Sequence, residues 1–108
     1  MGKKQIKSSV QEDLTRCYVC GREPTQIHHV FFGWSNRQNS EKYGYVVGLC
    51  FDHHTGHMGV HTGNKSLELE LKRMCQEDFE KNIGTRDEFR KIFGKSYLSG
   101  GGLHKWQR

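Results

Sequence analysis

The clearest pattern of hydrophobic and polar positions lies in the second half of the chain. Between residues 65 and 83, apolar side chains recur every four residues, at Leu67, Leu71, Cys75, Phe79 and Ile83. This spacing predicts a helix with one apolar stripe, which ends at Gly84. Cys75 lies on the stripe and is therefore expected to be a buried structural thiol.

A second, shorter helix is predicted directly after it. Thr85-Arg-Asp-Glu88 has the capping-box pattern that opens a helix. The helix is expected to end at Gly94 and to bury Phe89, Ile92 and Phe93.

The first half of the chain has two short strand-like runs, residues 26–32 and 45–49, joined by a polar stretch. The length and composition of that stretch, residues 33–44, predict a surface loop that contacts a ligand. It mixes cations with aromatic rings, as nucleic-acid contacts often do. The candidates for such contacts are Trp34, Arg37 and Lys42. An ordinary solvated loop with a packed Trp34 explains the same composition.

Composition predicts one domain with a thin core. The chain has 108 residues, of which 33% are hydrophobic and 13 are glycine. Residues 14–98 are expected to form the domain, flanked by a flexible basic arm at 1–13 and a flexible tail at 99–108. Chains this small often need a metal or disulfides to be stable.

The beginning of the chain has no long apolar run, so neither a signal peptide nor a membrane span is expected. We therefore expect a cytoplasmic protein whose paired cysteines bind metal rather than form disulfides. The net charge of +5, from 17 Lys and Arg against 12 Asp and Glu, raises the expectation of a phosphate-rich partner. Lys65, Lys72 and Arg73 are expected to form a solvated helix face, with phosphate contact as the alternative.

Cysteine and histidine spacing carries the strongest chemical signal. Cys17-x-x-Cys20 and Cys50-x-x-His53 form a pair of knuckles that together supply three thiolates and one imidazole. Four such ligands suit a structural zinc ion. His53 is preferred to His54 because its spacing repeats that of the first knuckle.

More histidines are present than one zinc ion requires. His28 and His29 are adjacent, so on a strand their side chains point to opposite faces and can do two different jobs. One can bind a metal and the other can accept a proton from water. His54, His57 and His61 follow the second knuckle, and their spacing leaves the pairing open.

These motifs resemble the HNH nucleases, whose ββα-metal fold holds one divalent cation between a hairpin and a helix. The resemblance covers residues 17–61 and rests on Cys17-Tyr-Val-Cys20-Gly, Ile27-His28-His29-Val30, Leu49-Cys50-Phe-Asp-His53-His54 and Gly59-Val60-His61. The likeness is to zinc-knuckle members from phages and prophages, including nucleases that aid phage recombination. It implies an α+β fold with a small ββα-metal core, a structural zinc knuckle pair and C-terminal helices.

The resemblance also implies a role for each matching histidine. His28 would bind the catalytic metal and His29 would be the general base. His54 would be a second metal ligand, and His61 a third, with His57 as the alternative. The chain departs from the family in two places: the second knuckle ends in His53 where Cys is usual, and the central Asn expected within residues 45–47 is missing. Asn36 and Asn39 are the candidates to replace that Asn.

The function implied by the resemblance is metal-dependent hydrolysis of DNA phosphodiester bonds. The cofactors would be a structural Zn²⁺ and one catalytic cation, Mg²⁺, Mn²⁺, Ni²⁺ or Zn²⁺. DNA would be the substrate in a bacterial host cell, with a recombination or packaging protein as a further partner. The alternative function is a non-catalytic, zinc-dependent module that binds DNA or another protein.

Overall fold

A two-stranded antiparallel hairpin lies at the centre of the structure. In the computed structural model, which describes residues 6–33 and 35–98, β1 (Gln26–His29) pairs with β2 (Val46–Leu49). The register places His28 opposite Val47 and His29 opposite Val46. Both predicted strands are therefore present, but β1 ends at His29 and β2 begins at Val46, so each is shorter than the sequence predicted. Predictions for residues 1–5, Trp34 and residues 99–108 lie outside the described residues.

The connection between the strands is a helix, α1 (Asn36–Tyr43), and the prediction of a loop there is wrong. The helix ends at Gly44, whose left-handed φ of 78° lets its N–H bond to the carbonyl oxygens of Glu41 and Ser40. Its outward side chains are polar, so no apolar stripe signals it. Hydrogen bonds to distant parts of the chain fix it instead.

Those hydrogen bonds come from three side chains of α1. Asn36 Nδ2 donates to the Phe93 carbonyl (3.1 Å), and Asn39 Nδ2 donates to the Ile92 carbonyl (3.1 Å). The fully buried Ser40 Oγ accepts from the Phe31 N–H at 3.0 Å and donates to the Phe31 carbonyl at 2.7 Å. Asn36 and Asn39 therefore bind the end of the last helix, and Ser40 binds the chain just after β1.

After β2, a single turn, α2 (Phe51–His54), leads through a 3₁₀ turn (Val60–Thr62) to the two predicted C-terminal helices. The first, α3 (Lys65–Asn82), buries four of the five predicted stripe residues. Ile83 is the exception, because it lies past the helix end and is 49% exposed. The second, α4 (Arg86–Phe93), begins with the predicted capping box, in which Thr85 Oγ1 accepts from the Glu88 N–H at 3.1 Å.

The core is largely aromatic and joins the hairpin to both C-terminal helices. Phe31 packs on Phe93 with ring centroids 4.4 Å apart, and Phe89 packs on Phe93 at 4.8 Å. Tyr45 is fully buried and donates its hydroxyl to the Asp78 carboxylate at 2.8 Å. Large rings allow a short chain to bury enough apolar area. The described residues thus form a small α+β fold with one two-stranded sheet and four α-helices, and none of these helices is both long and apolar enough to span a membrane.

Residues 8–18 lie against β2, which differs from the loose arm predicted for the beginning of the chain. Ser8 Oγ donates to the Val46 carbonyl at 2.7 Å, and the Gly48 N–H donates to Gln11 Oε1 at 2.8 Å. The Tyr18 N–H donates to the Gly48 carbonyl at 2.8 Å. A side chain at position 48 would collide with the Leu14 carbonyl, so glycine is needed there.

We predict that Ser40→Ala destabilises the protein by about 1–3 kcal/mol, because the buried N–H and carbonyl of Phe31 both lose their partner. Guanidinium unfolding of the zinc-loaded protein measures this difference. Ser66→Ala, at an exposed position of α3, is the control and is expected to change stability by less than about 0.5 kcal/mol. Equal unfolding midpoints for Ser40→Ala and the wild type would contradict the role given to this hydroxyl.

Candidate metal centres

The two knuckles bring four ligand atoms together in one cluster. Its members, called the Cys3His cluster below, are Cys17, Cys20, Cys50 and His53, and their ligand atoms all lie within 4.8 Å of one another. The Cys20 and Cys50 sulfurs are 3.7 Å apart. His53 Nδ1 lies 3.3 Å from the Cys50 sulfur and 3.7 Å from the Cys17 sulfur.

These separations fit a tetrahedral zinc ion. With Zn–S bonds of about 2.3 Å, the edge of a regular tetrahedron is about 3.8 Å. Three thiols and one imidazole also form a ligand set that zinc prefers. The four residues are therefore close enough, and of the right chemistry, to bind a metal such as zinc.

The backbone near Cys17 explains why the first knuckle is tight. The Gly21 N–H donates to the Cys17 carbonyl at 2.8 Å, and the Cys17 N–H donates to the Arg22 carbonyl at 3.0 Å. Gly21 has a φ of 78°, which glycine adopts without strain. These two backbone hydrogen bonds close the turn that holds Cys17 and Cys20.

Arg22 stabilises the cluster electrostatically. Its Nε donates to the Cys20 sulfur at 3.3 Å, and its second guanidinium nitrogen contacts Asp52 Oδ2 at 3.2 Å. The Arg22 guanidinium, followed by its backbone N–H, lowers the pKa of Cys20 to about 6. Burial raises the pKa of Cys50. A bound cation stabilises the thiolate, so this thiol loses its proton most readily when a metal is bound.

Three further histidines form a second cluster. His28 from β1, His54 from the end of α2 and His61 from the 3₁₀ turn have ring nitrogens within 4.8 Å of one another, and we call them the His triad. The ring centroids are 5.4 Å apart for His28 and His54, and 4.8 Å apart for His54 and His61. His57 is exposed and does not belong to the triad. The sequence left the choice between His57 and His61 open, and the structure brings His61 to the other two.

Close backbone packing places His61. Gly59, just before the 3₁₀ turn, lies so near the end of α2 that a Cβ there would be 2.5 Å from the His54 carbonyl oxygen. Thr62 Oγ1 donates to the Gly56 carbonyl at 2.6 Å. Together these contacts fold the 3₁₀ turn back onto α2.

One histidine of the triad has its proton position fixed by a neighbour. His54 Nδ1 lies 2.7 Å from Gln26 Oε1. An amide oxygen only accepts hydrogen bonds, so Nδ1 carries the proton and Nε2 is left with a free lone pair. A fixed ring with a free nitrogen is the form in which histidine binds a metal.

The surroundings of the triad favour neutral imidazoles at His28 and His54. Burial, and then the neighbouring His61, lower the pKa of His28 to about 3, and the nearby Lys72 charge contributes. Burial and His61 also lower the pKa of His54. Neutral imidazoles are ready to coordinate a divalent cation of the zinc, nickel or manganese type.

His29 follows His28 on β1 but has a different partner. Its Nε2 is 2.8 Å from Glu41 Oε2, and its side chain is 11% exposed. Glu41 belongs to α1, in the stretch that the sequence predicted to be a loop. Sequence reasoning missed this carboxylate because nothing in the local pattern distinguishes it from a solvated glutamate.

Two of the three residues predicted to contact nucleic acid lie on α1. Arg37 and Lys42 face solvent, and the Lys42 ammonium lies 5.5 Å from the centre of the Tyr43 ring. Trp34 lies outside the described residues. The structure therefore leaves Arg37 and Lys42 available for a ligand, but it gives no contact between them and the His triad.

Comparison with known proteins adds no relative. No protein-family model matches the sequence, and no curated protein or solved structure matches it either. The chemistry of the two clusters is therefore the basis for assigning a function.

We predict that Cys17→Ser loses zinc and unfolds. A structural zinc site contributes roughly 10–16 kcal/mol in small zinc domains, which exceeds the stability of a small core. Metal analysis and circular dichroism of the purified proteins test this, with His29→Ala as the matched variant outside the Cys3His cluster. If Cys17→Ser and His29→Ala melt at the same temperature, the structural role of this cluster is wrong.

The low pKa of His28 predicts how stability changes with pH. The unfolded chain takes up a proton near the ordinary value of 6.5, whereas the folded protein does so only near 3. The free energy of unfolding should therefore fall as pH drops below 6.5. Guanidinium unfolding of wild type and His28→Gln, from about pH 7 to about pH 5 without added catalytic cation, measures the effect. The wild type should lose stability relative to His28→Gln, and parallel curves would contradict the burial of a neutral His28.

Proposed function

We propose that this protein is a metal-dependent DNA endonuclease of the HNH type. The observation that carries the proposal is the His triad, which lies apart from a Cys3His cluster that already has a full set of zinc ligands. A purely structural zinc module needs only four ligands. Three clustered histidines that the structural zinc does not need are better explained by a second, functional cation.

The arrangement of elements supports the proposal. The resemblance implies that a hairpin and the helix after it hold the cation, and here β1 supplies His28 while α2 supplies His54. The helix is only one turn long, so the third histidine comes from the 3₁₀ turn that folds back onto it. Three protein ligands would leave coordination positions open for a phosphate oxygen and a water molecule.

In this proposal the triad and His29 have different roles in the reaction. A divalent cation bound by the triad would stabilise the negative charge that develops on the phosphate and on the leaving oxygen. His29 would take the proton from the attacking water. Because a carboxylate only accepts hydrogen bonds, Glu41 holds the proton on His29 Nε2 and leaves Nδ1 as the basic nitrogen.

Glu41 acts in this scheme as a positioning residue. It fixes the ring of His29 and its tautomer through the 2.8 Å contact between Glu41 Oε2 and His29 Nε2. The contact is shielded, since the side chain of Glu41 is 23% exposed.

Ser40 offers a replacement for the missing Asn of the family. In HNH nucleases that Asn ties the segment between the strands to the catalytic strand. Asn36 and Asn39 are engaged with α4, whereas Ser40 bonds both polar groups of the Phe31 backbone, two residues beyond His29. Ser40 thus fixes the position of α1, and with it Glu41, relative to the base.

We predict metal-dependent nicking of supercoiled plasmid DNA by the zinc-loaded protein with added Mg²⁺, Mn²⁺ or Ni²⁺. His29→Ala should lower the rate about 10²- to 10⁴-fold, because the base is lost while the fold remains. His61→Ala should abolish the response to the added cation, whereas His57→Ala, which alters a histidine outside the triad, should cleave like the wild type. Gel quantification of nicked DNA gives the rates.

Each variant is first checked for zinc content and circular dichroism, so that loss of fold is not mistaken for loss of chemistry. Equal losses in His57→Ala and His61→Ala would contradict the assignment of the triad. A folded, zinc-loaded wild type that cleaves under none of these conditions would favour the non-catalytic DNA-binding or protein-binding module.

A further inference from the structure

An exposed aromatic ring stands at the edge of the His triad. The ring of Phe32 lies 6.0 Å from that of His28 and 5.6 Å from that of His61, measured between centroids. It is 42% exposed although its neighbour Phe31 is completely buried in the core. A large ring that is kept at the surface beside a candidate metal site is available to contact a bound ligand.

Lys72 also contacts this ring. The sequence predicted a solvated helix face at this position, which is wrong for Lys72. Its side chain is 12% exposed, and its ammonium contacts the Glu68 carboxylate at 2.8 Å. The same ammonium is 4.8 Å from the centre of the Phe32 ring and 5.1 Å from that of Tyr97. Two rings and a carboxylate therefore fix this charge in one place.

A basic pocket continues from Lys72 away from the triad. It has a volume of about 250 Å³ and is lined by Lys65, Glu68, Leu69, Lys72, Lys95 and Tyr97. The Lys95 ammonium lies 5.3 Å from the centre of the Tyr97 ring. Three lysines and one glutamate leave a formal charge of +2. We call Phe32 and this pocket the Phe32–Lys95 groove.

We infer that the Phe32–Lys95 groove binds the DNA strand that enters the His triad, as a single-stranded segment with one base stacked on Phe32. This inference rests on the proposed nuclease function and names the surface that receives its substrate. The exposed Lys65 and Lys95 would contact phosphates, and the aromatic rings would contact bases, which is the combination found in grooves that bind single strands. An unpaired strand fits because Phe32 can stack only on a base whose face is free.

This surface differs from the one that the sequence predicted on α1. Arg37 and Lys42 are exposed cations of a polar helix whose one aromatic ring, that of Tyr43, packs on core rings and not on the triad. The groove, in contrast, is continuous with the triad through the contacts of Phe32 with His28 and His61. The two surfaces can therefore be separated by substitution.

Fluorescence anisotropy with a labelled single-stranded oligonucleotide of about 16 nucleotides tests the inference. The probe is titrated with the full-length zinc-loaded protein without any added cation, so that binding is measured in the absence of cleavage. Lys65→Gln/Lys95→Gln removes two exposed charges from the groove. Lys81→Gln/Lys91→Gln removes the same charge elsewhere: Lys81 lies near the far end of α3, about 24 Å along the helix from Lys65, and Lys91 lies on α4.

The groove variant should bind more weakly than the wild type, and the slope of log affinity against log salt should fall by about 0.7 for each phosphate that is no longer neutralised. The Lys81/Lys91 control should bind within about twofold of the wild type. Phe32→Ala should weaken single-strand binding about 5- to 100-fold, and Phe32→Tyr should restore it, because both aromatic rings stack on a base. Phe32→Ala should leave binding of a matched duplex unchanged.

Three results would overturn the inference while leaving plasmid cleavage to decide the nuclease proposal separately. The first is that Arg37→Gln/Lys42→Gln weakens binding and the groove variant does not. The second is that all three double variants weaken binding equally, which would indicate general charge attraction. The third is that the wild type binds duplex more tightly than single strand and Phe32→Ala weakens both alike.

Discussion

Both candidate metal centres depend on the single turn that follows β2. Cys50 and His53 belong to the Cys3His cluster, whereas His54, the next residue along α2, belongs to the His triad. Successive residues of a helix point about 100° apart, so one turn can serve two clusters on different sides. A zinc ion that fixes residues 50–53 therefore also fixes His54. The two candidate centres are therefore coupled through this turn.

The parts of the structure that depend on local spacing could be predicted from the sequence. The knuckles repeat a short turn with two ligands, and the capping box at Thr85 is complete within four residues. The stripe on α3 follows from helical periodicity, and only Ile83, past the end of the helix, departs from it. Helix α1 was missed because its stability comes from contacts across the fold, through Asn39 to α4 and Ser40 to Phe31. A polar segment gives no sign of such distant partners.

The candidate metal centres likewise combine features that local spacing predicts with features that depend on distant contacts. The four ligands of the Cys3His cluster were visible as motifs, but the choice of His61 over His57 required the fold of the chain after α2. Glu41 and Lys72 were not identifiable, because one looked like a loop residue and the other like a solvated helix residue. Each acquires its role from a partner more than ten residues away in the sequence: Glu41 from His29, and Lys72 from Phe32.

The segment that lies along β2 has a consequence for assembly. The outward backbone groups of Val46 and Gly48 are already bonded to Ser8, Gln11 and Tyr18. A second copy of the chain, or an extended peptide, cannot add a strand at that edge unless the segment is first displaced. Two copies of the proposed nuclease that cut both strands of a duplex would therefore have to associate through surfaces other than the β2 edge of the sheet.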